Sequence, residues 1–282
     1  MDTGKLPISQ DLVGKLEQVE VEAWRDFYNS APRDALQACG VKLIKASSGF
    51  FFIASGVDTL ALNRVVGLGL SEPLTEETLD KAIAFYKKAR APRFFVQLHP
   101  ELVTPEVKQM LQAKGFQHHN NWVKMYRDTA PLPPLETSMR VEEIKSNDAP
   151  VFATILIRGF EWSDFLQSWA QSVVGRRGWR HYLAYDGSAP VATGAFFIWG
   201  QHAWINFAST LPQARGRGAQ AVLVARRILD ARQAGCNWLV VETAEDTAQR
   251  PAPSFRNMIR YGFQTAYVRP NYIYYCDGVD SK

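Results

Sequence analysis

Three prolines within four positions, Pro131, Pro133 and Pro134, interrupt the middle of this chain in the segment Thr129-Ala130-Pro131-Leu132-Pro133-Pro134-Leu135. Proline fixes φ and has no N–H to donate, so this segment can continue neither a helix nor a central strand. It is read as a linker, 131–137, between units 1–130 and 138–282, each of ordinary domain size. The composition, with 46% hydrophobic and 21% charged residues, is that of a globular protein. It excludes a disordered chain, a collagen and a coiled coil. A net charge of +4 is too small to argue for a nucleic-acid partner.

The two units look alike in order. Phe94-Phe95-Val96-Gln97-Leu98 reads as a strand, followed by a helical stretch, then Lys114-Gly115-Phe116-Gln117 and another strand. Trp238-Leu239-Val240-Val241-Glu242 is followed in the same way by Tyr261-Gly262-Phe263-Gln264. Upstream, 63–70 and 205–212 read as strands entering loops, each leading to a helical run, 76–89 and 217–234. Such self-similarity is that of a duplicated unit, although two unrelated α/β halves can share this order by chance.

In the second unit, 139–144 is a short strand and Asn147-Asp148 can cap a helix through Arg158. A second helix is expected over 162–174, its apolar face formed by Phe165, Leu166, Trp169 and Val173. Strands follow at 179–186, 190–199 and 203–209, the first two joined at Asp186-Gly187, a hairpin signal. Gly235 is a good C-cap for the helix 217–234, and a strand over 237–243 follows it.

The stretch richest in chemistry is Thr210-Leu211-Pro212-Gln213-Ala214-Arg215-Gly216-Arg217-Gly218-Ala219-Gln220-Ala221, between a strand and an amphipathic helix. Glycine admits φ > 0 and close approach of a ligand to the backbone. The free N–H groups of a first helical turn and the helix dipole form an anion site, to which Arg215 and Arg217 add charge. Alone, the loop reads more readily as a glycine-rich turn with solvated arginines. It is not a Walker A loop, since no Gly-Lys-Ser/Thr follows. The meander-like strands before it also argue against a dinucleotide fingerprint.

In this setting the chain resembles the GCN5-related N-acetyltransferases. The resemblance is carried by Pro212-x-x-Arg215-Gly216-Arg217-Gly218, the helix after it, Glu242 at the end of the next strand, and Tyr261-Gly262-Phe263, and it covers residues 139 to about 276. It implies an α/β (α+β) fold of two tandem domains, each a mixed, mostly antiparallel sheet flanked by helices, the first a degenerate copy. It also implies an acetyltransferase using acetyl-CoA and an amine-bearing acceptor. The pyrophosphate would sit on Arg215, Gly216, Arg217, Gly218, Ala219 and Gln220. The pantetheine arm would pair with Ala208, Ser209 and Thr210, in a slot where that strand splays from the one ending near Glu242.

The sequence departs from the family at several points. The loop motif fits in two registers, Gln213 to Gly218 and Arg215 to Gln220. The second is preferred, because Ala221, Val222 and Leu223 then begin the helix packing; Gln220 replaces a small residue and must turn its side chain away. The family's usual Tyr is Met258 here, leaving Tyr261, Tyr272 and Ser254 as candidates to protonate the leaving thiolate. A lysine-like amine is neutral in only about one molecule in a thousand at pH 7, a cost of roughly 4–5 kcal/mol, so a carboxylate that takes its proton is useful. Glu242, Glu245 and Asp246 cluster at the strand end, and Glu242 is the first choice; it could instead order the loop. A non-catalytic acyl-CoA-binding regulator is the alternative reading.

The first unit lacks the phosphate machinery, because Glu72, Glu76 and Glu77 surround its equivalent helix start and would repel an anion. Gly67 and Gly69 are expected to serve a turn or packing. His99, His118 and His119 lack metal-ligand spacing, so no metal is expected. Cys39, Cys236 and Cys276 are odd in number and form no C-x-x-C, as in a cytoplasmic protein with reduced thiols. Met1 to Pro7 has no apolar signal core, and the longest apolar runs, such as Phe50 to Ala54, are too short to span a membrane.

Overall fold

Apolar, β-branched and aromatic runs bounded by glycines and prolines form eleven strands, and these hydrogen-bond into one sheet. They are β1 (Val41–Ala46), β2 (Gly49–Ala54), β3 (Arg64–Val66), β4 (Arg93–Gln97), β5 (Gln117–Asp128), β6 (Arg140–Ile144), β7 (Trp179–Asp186), β8 (Ala189–Trp199), β9 (His202–Thr210), β10 (Trp238–Ala244) and β11 (Gln264–Tyr275). The computed structural model describes residues 8–276 except Ser47, Pro134 and Glu136. Met1 to Pro7 and the last proline of the central cluster therefore lie outside the described residues. The sheet order is β1-β2-β3-β4-β11-β5-β10-β9-β8-β7-β6.

That order has a pseudo-twofold axis between β11 and β5. On either side the sequence of neighbours repeats: β4 and β10 flank the centre, and each is parallel to the strand before it in its own half, β3 or β9. The last strand of each half is exchanged. β5 lies antiparallel to β10, and β11 lies antiparallel to β4 and to β5. The fold is mixed and mostly antiparallel, as the sequence implies, and the internal repeat is visible as this symmetry.

Among the described residues eight helices cover the sheet: α1 (Gln10–Asn29), α2 (Arg33–Ala38), α3 (Glu76–Ala89), α4 (Pro105–Ala113), α5 (Ala149–Phe160), α6 (Gln167–Ser172), α7 (Ala219–Gln233) and α8 (Pro253–Arg260). Ser9 caps α1, its Oγ accepting from the Leu12 N–H at 3.1 Å. Although α1 belongs to the first half of the sequence, it packs on β1, β2, β8 and β9. There Trp24, Phe27 and Tyr28 share a core with Phe52, Trp169 and Phe207. Phe27 stacks on Trp169 at 4.4 Å, and the Trp169 indole donates to the Phe27 carbonyl at 2.8 Å. The opposite sheet face is covered by α7 and α8 over one half and by α3 and α4 over the other.

Three local expectations are corrected. The expected helix over 162–174 is a 3-10 turn, Asp164–Leu166, followed by the short α6. Ser163 Oγ accepts from Phe165 N–H, and Phe165 is exposed while Leu166, Trp169 and Val173 are buried. Asp148 stands at the N-cap of α5 as expected but makes no side-chain cap bond there; its carboxylate turns back to accept from the Lys145 N–H at 3.3 Å, and α5 runs on to Phe160. Helix α7 starts two residues late because Gly216 and Gly218 hold φ of 75° and 88°, outside the helical region.

A fragment 135–282 lacks β5, which separates β10 from β11, and lacks α1. It is expected to be unfolded or aggregated by circular dichroism and size-exclusion chromatography. A monomeric fragment with a cooperative melt would refute the strand exchange. Gly159 of α5 rests on β9, where an added Cβ would overlap Ser209 Oγ and come within 2.9 Å of Ser209 Cβ. Gly159→Ala is therefore expected to destabilise by about 1–3 kcal/mol, the usual cost of overpacking. Urea unfolding measures this, and Ser209→Ala should relieve it in part.

Candidate functional site

Strands β9 and β10 run parallel and paired only over Trp238↔His202, Leu239↔Ala203 and Val240↔Trp204. Beyond that they separate. A bulge drives the parting: between Thr193↔Ser209 and Ala195↔Asn206 the single residue Gly194 of β8 faces both Phe207 and Ala208. Phe207 sits at φ 51°, a left-handed conformation that a bulky residue adopts only when its surroundings hold it there. Thr193 Oγ1 holds it by donating to the Phe207 carbonyl at 2.8 Å. The gap opens a cleft of about 960 Å³ that reaches both faces of the sheet.

At one end of this gap lies the glycine loop. A 3-10 turn, Pro212–Ala214, leads through Arg215 and Gly216 to Gly218, which caps α7. The Val222 N–H is the first to close onto the helix, at the Gly218 carbonyl. The N–H groups of Ala219, Gln220 and Ala221 precede it, the end of the dipole that favours anions. The cleft is lined by Ala208, Ser209, Thr210, Arg215, Gly216, Gly218, Ala219 and Gln220. Arg217 is not on its wall; its guanidinium pairs with Asp186. Gln220 turns its amide back onto β9, donating to the Ser209 carbonyl at 3.2 Å and to Thr210 Oγ1 at 2.9 Å. The side chain is thus clear of the helix N-terminus, yet it engages a carbonyl on the edge of the cleft.

Of the three clustered carboxylates, Glu242 alone lines the cleft. Glu245 accepts from Asn121 at 2.8 Å. Asp246 accepts from the Ala252 N–H at 2.7 Å and from Arg256 at 2.8 Å, which holds its pKa low and orders the entry to α8. Glu242 belongs to a larger group. Glu17 and Glu20, one turn apart on α1, meet Arg64 of β3, Lys124 of β5 and Arg269 of β11. Arg269 bridges Glu17 and Glu20 at 3.0 Å each and also contacts Glu242. Arg64 reaches Glu20 and Glu242 at 3.3 Å each. Three carboxylates and three cations thus balance, all nearly excluded from water. Burial raises the carboxyl pKa of Glu17 and Glu20, but Arg269 and Lys124 outweigh it and hold both low. At Glu242 burial prevails over Arg269, and its pKa is raised.

Tyr261, Ser254 and Met258 line the cleft from the α8 side. Tyr272 does not: it faces a separate cavity with Phe116 and His118, so its candidacy as proton donor is withdrawn. Several residues on the wall are unforeseen, Arg227 among them. Arg227 of α7 is wholly buried beneath Gly194, where a Cβ would come within 3.1 Å of the guanidinium. Burial lowers its pKa to about 10, and no carboxylate among the described residues pairs with it. In the first half, Gly67 and Gly69 are needed for packing: added Cβ atoms would press on Val21 and overlap Leu102. Among the described residues no group of three or more His, Cys, Asp or Glu could hold a metal, and no helix is long and apolar enough to cross a membrane.

The comparisons with known proteins agree on the fold, which is that of the GCN5-related N-acetyltransferases. An enzyme so described from Sphaerobacter thermophilus superposes with a TM-score of 0.62, covering 97% of this chain and 96% of its own at 12% identity. One from Kribbella flavida gives 0.58, covering 89% and 94% at 17% identity. A tandem protein of the same fold from the clavulanic acid biosynthesis pathway gives 0.55, covering 97% and 98% at 14% identity. No family profile and no curated protein matches the sequence.

The buried cluster generates a test. Glu20→Gln leaves three buried cations short of one carboxylate, and stability should fall by about 3–5 kcal/mol. Because the pKa of Glu20 is lower folded than unfolded, its contribution is fully present above about pH 4.5 and lost as pH falls through the depressed value. Urea unfolding between pH 7 and pH 3 should therefore give a flatter acid limb for the variant. An unchanged midpoint would mean that charge does not hold α1 on the sheet.

Proposed function

We propose that this protein transfers the acetyl group of acetyl-CoA to an amine by direct attack, in the cleft between β9 and β10. One observation carries the reading: a parted parallel strand pair leads straight into a glycine loop and a free helix N-terminus. The cleft has a strand edge of the kind a pantetheine arm pairs with, ending where a pyrophosphate finds backbone N–H groups and Arg215. Arg217, paired with Asp186, contributes its backbone rather than its charge. An arm that pairs with Ser209 shares that carbonyl with the Gln220 amide.

In this mechanism the amine nitrogen attacks the thioester carbon, the C–S bond breaks, and coenzyme A leaves as a thiolate. Glu242 takes the amine proton; its raised pKa makes it a better base than an ordinary carboxylate. Tyr261 or Ser254 returns a proton to sulfur. The second half is the catalytic unit of a tandem protein and the first a degenerate copy, with the linker 131–137 between them and one coenzyme site per chain. The exchanged strands make the two units one folding body. A cytoplasmic setting suits Cys39, Cys236 and Cys276, which form no disulfide with one another. A second reading, an acyl-CoA-binding regulator without turnover, draws on Met258 in place of the usual Tyr.

Gly218→Asp places a carboxylate at the anion site and should weaken coenzyme A binding by several kcal/mol, about a thousandfold or more, in a folded protein. Calorimetry reads this, together with a stoichiometry of one per chain. Glu242→Gln should lower kcat by roughly 10²–10⁴ and recover at high pH, where the amine is already neutral. An active variant with an unshifted pH profile removes Glu242 from the chemistry. Coenzyme binding without thiol release across a panel of amines would favour the regulator.

A further inference from the structure

Past Glu242 the cleft opens on the α1 face of the sheet, walled by Trp24, Trp122, Trp162 and Trp204, four of the eight tryptophans of the chain. The guanidinium of Arg64 lies 4.4 Å from the Trp24 ring and 5.3 Å from that of Trp122. Its Nη atoms are committed to Gln97, Glu20 and Glu242. Its Nε has no partner, and neither has the indole N–H of Trp24 or of Trp204. With Nη2 of Arg227 on the other face, these are the buried unpartnered polar atoms of the cleft walls among the described residues. All four are donors. A buried donor without an acceptor is costly, and several on residues that wall one cavity are the complement of a group rich in acceptor oxygens. The ion cluster beneath is neutral, so its own carboxylates are already matched.

The same floor offers an acceptor. Glu242 lies 3.3 Å from Arg64, so a carboxylate and a guanidinium edge stand side by side at the inner end of the indole-lined chamber. We propose that the acyl acceptor is an α-amino acid with an aromatic or apolar side chain, a molecule that carries an amine and a carboxylate on one carbon. Its carboxylate takes the N–H groups of Arg64, Trp24 and Trp204. Its amine faces Glu242 and the thioester, and its side chain rests on Trp122 and Trp162. The product is an N-acylated amino acid: the new C–N bond replaces the C–S bond, the amine proton passes to Glu242, and free coenzyme A is released. This inference rests on the transferase reading above.

The test uses the full chain with acetyl-CoA and compares phenylalanine and tryptophan with phenethylamine and tryptamine, which lack only the carboxylate. Thiol release and product mass are read together. The amino acids are expected to have kcat/KM about 10- to 100-fold higher, the worth of hydrogen bonds to a charged group. Trp24→Phe and Arg64→Lys should erode that preference by lowering the rate with amino acids more than with amines. Equal rates with and without the carboxylate would overturn the inference and leave the transferase reading intact. If no amine is acetylated although acetyl-CoA binds, the transferase reading fails, and binding decides the site separately. Saturable quenching of tryptophan fluorescence by phenylalanine but not by phenethylamine would uphold the carboxylate site, and quenching by neither would overturn it.

Discussion

Removing an ion from water costs several kcal/mol, so six ionised groups at the centre of a sheet are tolerated only when each is paired. Here the pairing is closed by five elements: α1, β3, β5, β10 and β11. Glu17 and Glu20 fix where α1 rests, because a slip of one residue would aim them elsewhere around the helix. The register of β11 on β5 is fixed likewise. Tyr267 opposite Lys124 and Arg269 opposite Trp122 set Arg269 near Lys124, where both reach the α1 glutamates. Docking of α1 and exchange of the last strands are therefore satisfied together or not at all.

That constraint explains why a proline-rich segment in mid-chain does not yield two independent bodies. Cutting at the prolines would strand Glu17, Glu20, Arg64 and Lys124 on one side and Glu242 and Arg269 on the other. The hydrophobic part of the arrangement points the same way, since Trp24 and Phe27 of the first half pack against Trp204, Trp169 and Phe207 of the second. Neither half could bury these rings alone.

What was legible in the sequence follows from range. The strand 179–186 and the helix 76–89 are fixed by local periodicity and turn chemistry, and both are found at those bounds. The glycine loop was readable because its chemistry is contiguous in sequence. The error at residues 162–174 has a local cause too: a serine hydroxyl competed for the backbone and tightened the first turn. The ion cluster and the four indoles could not be read. Glu17 and Glu20 look like the solvated stripe of a surface helix, and single tryptophans scattered over 24, 122, 162 and 204 show no period. Only the sheet order brings them together. The exchange of β5 and β11 was hidden for the same reason: each last strand matches its own unit equally well until the partners of its charged residues are known.

The cluster and the cleft meet at Glu242, and there the two demands on a carboxylate conflict. The base proposed above needs a raised pKa, which burial supplies; a buried carboxylate needs cations, which lower the pKa again. The structure resolves this by sharing. Arg269 is divided among three carboxylates and Arg64 between two, while Lys124 lies against Glu20 and only 4.0 Å from Glu242, where the charge of Glu20 adds to the effect of burial. The glutamate on the helix is thereby held ionised, and the one on the cleft wall is left the more basic. The position of α1 thus bears on the proposed chemistry: by holding Lys124 against Glu20 and setting the charge of Glu20 near Glu242, the first half of the chain raises the proton affinity of a residue contributed by the second.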